Sequence, residues 1–72
     1  MNSKLFRSIM LLNGDTNKTL AEFLNISEAS VSNKINEKGT EFRQGEIAAI
    51  KEKYNLTAEQ VDEIFFNEKC LN

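Results

Sequence analysis

From Leu5 to Phe66 the apolar residues recur at intervals of three and four, and nothing alternates at period two for more than a few positions. That rhythm lines up one face of a helix, never one face of a strand. The chain also lacks proline, so nothing inside these segments forbids helix. Leu5, Ile9 and Leu12, with Phe6 beside them, form the inward face of a first helix; Asn2 or Ser3 caps its start and Asn13-Gly14 gives it a left-handed stop. A second helix starts after Asp15 or Thr16 and turns Leu20, Ala21 and Leu24 inward. Asn25-Ile26-Ser27 breaks the period, since asparagine tolerates positive φ and Ser27 is a good N-cap. A third runs from Glu28 to about Lys38, ending before Gly39, with Val31 and Ile35 on its inner side. Ile47, Ile50 and Tyr54 mark a fourth, from about Gln44 to Tyr54. Thr57-Ala58-Glu59-Gln60 is a capping box opening a fifth, with Val61, Ile64 and Phe65 facing the core. The expected fold is all-α: five short helices in one domain over residues 1–67, with 68–72 as a tail.

None of these helices is long enough to stand alone in water, so their apolar faces must be buried together. At 72 residues the chain holds one small core and a thin stability margin. Its single Cys70 forms no internal disulfide, and the absence of histidine leaves a tetrahedral zinc site almost without ligands. No glycine-rich phosphate loop occurs, and the carboxylates are scattered over helix surfaces. We therefore expect no catalytic, cofactor or metal residues. The longest apolar run, Ile9 to Leu12, falls far short of the roughly 20 residues a membrane span needs, and is too short for a signal-peptide core. These features predict an intracellular protein with no membrane partner.

Charge is divided along the chain. Residues 1–43 hold six basic and five acidic side chains, whereas 44–72 hold three and six. A domain bound to duplex DNA usually shows a basic face, because phosphate neutralisation supplies much of the affinity. This chain advertises none.

Asn17 to Asn36 is the informative stretch. Ala21 is small where two helices cross closely, Asn25 stands at the turn, Ile26 plugs the space between the helices, and Val31 packs the second helix back. This spacing resembles the helix-turn-helix of the lambda-repressor and Cro-like family, with asparagine at the turn position usually held by glycine. Ser30-Val31-Ser32-Asn33-Lys34-Ile35-Asn36, then Phe42, Glu46-Ile47 and Glu63-Ile64-Phe65-Phe66, are closer still to one subgroup. Its members are small helix-turn-helix proteins of Gram-positive temperate phages, acting in the lysis–lysogeny switch as Cro-like regulators or antirepressors. The resemblance covers about residues 4–66 and implies the cytoplasm of a bacterial host.

The resemblance places the third helix at the interface, with Glu28, Ala29, Ser30, Asn33, Lys34 and Glu37 pointing outward. In the family this helix enters the major groove. Asn33 would pair with adenine, Glu28 with a cytosine amine and Ala29 with a thymine methyl, while Lys18, Lys34 and Lys38 would take phosphates. Glu28 also faces the other way: a carboxylate at the leading edge of this helix opposes the potential of DNA. With Glu37 or Glu41 it would instead pair with arginines on the DNA-reading face of a repressor. Two functions stay open. One is capture of the phage lysogeny repressor, with operator DNA met directly or through it. The other is autonomous binding of operator DNA as a homodimer.

Three further residues stand out. Phe65 and Phe66 point about 100° apart, so both cannot enter one core; one is part-exposed. Arg43 falls near the start of the fourth helix, where serine, threonine or aspartate would cap better.

Overall fold

Each helix begins where a side chain is available to satisfy its first free backbone N–H groups. In the computed structural model, which describes residues 1–66, α1 spans Ser3–Leu12, and Asn2 Oδ1 accepts from Leu5 N at 3.1 Å. α2 spans Asn17–Leu24 behind a reciprocal pair: Thr16 Oγ1 accepts from Thr19 N, and Thr19 Oγ1 from Thr16 N. α3 is Glu28–Ile35, capped by Ser27 Oγ on Ser30 N at 3.0 Å. α4 is Gln44–Lys53 and α5 is Ala58–Val61, which opens on the Thr57–Gln60 capping box and continues as a π-helical turn, Asp62–Phe66. No strand occurs among the described residues. The tail expected at 68–72, with Cys70, and the last domain residue at 67 lie outside them.

The first four helices end on one device. The residue at the C-cap or just after it takes positive φ, and backbone bonds close over it in a Schellman pattern. In α1 this residue is Gly14 (φ 73°), with Gly14 N donating to Leu11 O and Asp15 N to Met10 O. In α2 it is Asn25 (φ 60°), with Ile26 N on Ala21 O; in α4 it is Asn55 (φ 54°), with Leu56 N on Lys51 O. Asparagine reaches this backbone region more readily than most side chains, which is why the second helix stops at the expected place.

The third helix stops early. It ends at Ile35 rather than near Lys38, because Glu37 takes the left-handed position (φ 54°) and Lys38 N closes on Asn33 O at 2.9 Å. Glutamate has no intrinsic preference for that conformation, so its sequence gives no warning of the stop.

Among the described residues, eleven buried apolar side chains form the core, of which Phe6, Leu20, Val31, Ile35, Ile50 and Ile64 are the largest fully enclosed. Phe6 is the hub. Its ring centroid lies 5.5 Å from Phe42, 5.7 Å from Phe65 and 6.5 Å from Tyr54, in tilted or edge-on contacts that favour aromatic quadrupoles. α1 thus buries Phe6 and Met10, not the Leu5–Ile9–Leu12 stripe. Leu5 and Ile9 only flank the core, and Leu12 is 84% exposed. The helix holds apolar residues around more of its circumference than the core covers, so periodicity alone cannot fix its rotation. Ile26 and Leu24 are likewise half-buried, packed against the core from the α2–α3 turn. Of the aromatic pair, Phe65 joins the core cluster while Phe66 is 56% exposed, as their spacing requires.

Polar locks hold the helices together. Tyr54 Oη donates to Asp15 Oδ2 at 2.7 Å, Thr19 Oγ1 donates to Asp15 Oδ1 at 2.8 Å, and Lys53 Nζ lies 3.5 Å from the same carboxylate. Together they tie the α1–α2 turn to the end of α4. Burial pushes the Asp15 carboxyl up, but the Tyr54 and Thr19 hydroxyls and the Lys53 ammonium outweigh it and leave it below the usual aspartate range. The Tyr54 phenol is pushed above its ordinary value by burial and by its carboxylate partner. At the other end, Asn2 N donates to Ile64 O and Ser3 Oγ to Ile35 O, joining the start of α1 to the C-terminal turn and to α3.

Candidate partner-binding face

α2 and α3 make the closest helix pair of the fold, and the left-handed Asn25 sets the angle at which α3 leaves α2. Val31 and Ile35 are fully enclosed. Their burial turns Glu28, Ala29 and Asn33 to solvent along the opposite side of α3. Ser30 is half-buried, and its hydroxyl and backbone N–H are both engaged with the Ser27 cap, so it offers less to a partner than expected.

Lys34 departs from its expected place. It is only 7% exposed. Its Nζ lies 3.3 Å from Glu46 Oε1 and donates to Glu41 O at 3.2 Å, so the cation is spent inside the fold. The physical reason is its position between the buried Val31 and Ile35: a polar head there needs hydrogen-bonding partners, and α4 with the preceding loop supplies them. Lys34 is therefore withdrawn from the set of partner contacts. The same Glu46 carboxylate accepts from Arg43 N at 2.8 Å, which explains how α4 starts on an arginine: the cap is provided three residues downstream.

Glu37 and Lys38 lie beyond the helix, exposed on the turn, with the Glu37 carboxylate 3.1 Å from the Met1 ammonium. Lys18 is exposed in the first turn of α2. Arg7 was not among the expected contacts; its guanidinium donates to Asn36 Oδ1 across 29 positions of sequence, which brings a cation to the end of α3. No local signal marks that pairing.

The result is a helix whose one cation is internal and whose exposed leading edge carries a carboxylate. No family model, curated protein or solved structure matches the chain. Its chemistry must be argued from this face. Glu28 accepts hydrogen bonds, Asn33 both donates and accepts, and Ala29 presents a methyl between them. Lys18, Lys38 and Arg7 at the end of α3 remain for phosphates or carboxylates. Among the described residues, no helix is long and apolar enough to cross a membrane.

Proposed function

We propose that this chain is a helix-turn-helix regulator of the temperate-phage type, acting as an antirepressor in the lysis–lysogeny switch. α3 engages the lysogeny repressor and blocks or modifies its hold on operator DNA. The tight α2–turn–α3 pair with a left-handed Asn25 supports the lambda-repressor-like fold, and the motif run supports the phage subgroup, down to the modulator-of-repression kind found in lactococcal phages.

The observation that carries the choice of partner is the internal position of Lys34. α3 contains no other basic residue, so its outward side presents Glu28 without a cation of its own. Duplex DNA repels such a surface, whereas the arginines of a DNA-reading face attract it. Lys18, Lys38 and the Arg7 beside the end of α3 neutralise few phosphates, which makes autonomous DNA affinity weak.

The exposed Asn33 favours a second reading, in which the chain reads operator half-sites directly as a Cro-like homodimer. A gel shift at low salt, with and without the cognate repressor, combined with gel filtration, separates them. Repressor capture predicts no shift by the chain alone and a complex of the two proteins on the column. A shift by the chain alone, abolished by Asn33→Ala, would establish direct readout in its place.

A further inference from the structure

The outward side of α1 is poorly suited to water. Leu11 is 79% exposed and Leu12 84%. Lys4 and Ser8 are exposed as well, and Leu5 lies half-buried at the rim. At about 100° per residue, Lys4, Ser8, Leu11 and Leu12 share one arc, with Leu5 along its edge. The strip is thus basic at its start, small in its middle and apolar at its end.

Its charge is also placed against the helix dipole. The first turn has no acid and contains Lys4, and the last turn has no base. Within α1 itself neither end carries the charge that the dipole favours, since acids belong at the amino end of a helix and cations at the carbonyl end.

We propose that this strip is a self-association surface on which two copies of the chain pair through antiparallel α1 helices. Antiparallel packing brings Lys4 of each copy to the carbonyl end of the other's α1, correcting both dipole mismatches at once. A two-fold axis at Ser8 fixes the register: Lys4 meets Leu12 of the second copy, Leu5 meets its Leu11, and Ser8 meets its Ser8. The small Ser8 lets the backbones approach. The aliphatic stem of Lys4 covers the leucine while its ammonium reaches the last carbonyls. One strip serves both copies, so the contact is self-complementary and closes at two. The area is small beside the roughly 800 Å² per partner that stable interfaces bury. The pair is accordingly weak, with Kd on the order of 1 mM.

The test is disulfide capture in the full-length chain with Cys70→Ser as background. Ser8→Cys, on the axis, is compared with Lys51→Cys, an exposed site on α4. Under mild oxidation the Ser8→Cys protein forms covalent dimer about tenfold faster, because pairing raises the local thiol concentration. Adding Leu12→Lys cancels that advantage, while circular dichroism shows the helices intact. Sedimentation of the wild-type chain at millimolar concentration shows dimer, and Leu12→Lys returns it to monomer. Equal capture rates at the two sites would overturn the proposal, as would a strictly monomeric wild type at that concentration. Leu11 and Leu12 amide resonances that move only on adding repressor, and never with concentration, would also overturn it by giving the strip to a different protein. Failure of repressor binding leaves the capture rates and the sedimentation results unchanged.

Discussion

The Lys34 ammonium and the Glu46 carboxylate lie 3.3 Å apart with both side chains largely out of solvent, and this pair couples the end of α3 to the start of α4. Glu46 is the shared element, because it also caps Arg43 N. Removing the ammonium alone strands a carboxylate between elements, so Lys34→Ala should cost about 2–3 kcal/mol in chemical denaturation. Lys34→Met retains the packing of the stem and should cost less. Neither variant should change repressor affinity beyond its effect on stability, which titration of folded protein checks.

Asp15 and Tyr54 predict the pH profile. The Asp15 carboxyl titrates lower in the folded chain than in the unfolded one. Its contribution is therefore complete above the unfolded value, about 4, and disappears as pH falls through the folded one. Tyr54 is raised, so its contribution is complete below about 10 and is lost as pH rises beyond it. Tyr54→Phe should remove about 1 kcal/mol at neutral pH and flatten both limbs of the stability curve. Thermal unfolding between pH 3 and 11 measures both.

Glu37 is the strained helix stop. A non-glycine residue in the left-handed region costs roughly 1–2 kcal/mol, and the exposed pairing with the Met1 ammonium returns little of it. Glu37→Gly should raise stability by about 0.5–1 kcal/mol after the entropy of glycine is counted. Asn25→Gly, at a residue already suited to its φ, should change stability by less than about 0.5 kcal/mol.

Val31 tests the rotation of α3. It is wholly enclosed, so Val31→Asp buries an unpaired carboxylate and should unfold the domain by circular dichroism. A folded variant would show that the outward assignment of Glu28 and Asn33 is in error.

Helix boundaries were legible wherever a local side-chain bond sets them. Ser27 and Thr57 with Gln60 bond three residues away, and Asn25 acts through its own left-handed backbone, so spacing and residue type reveal them directly. The core residues Ala21, Val31 and Ile35 were legible because each lies on the apolar side of a short, sharply bounded helix, whereas Phe42, in the loop before α4, stood out only through the resemblance. The rotation of α1 was not, since Leu5, Ile9, Leu11 and Leu12 extend its apolar arc well past Phe6 and Met10. Lys34 was hidden for a different reason. A lysine on a helix reads as solvent-facing until the fold brings Glu46 and Glu41 O to it from later in the chain. Arg7 and Asn36 escaped the same way. The exposure of Glu28 and Asn33 was thus readable, and the charge of the face they share was not.

That charge decides the account. Titration of the wild-type and Glu28→Lys proteins into purified lysogeny repressor measures it directly. Under repressor capture, reversing the Glu28 charge should weaken the complex by about tenfold or more and make the loss smaller at high salt. Unchanged affinity for the repressor, with tighter binding of operator DNA by the variant alone, would contradict it.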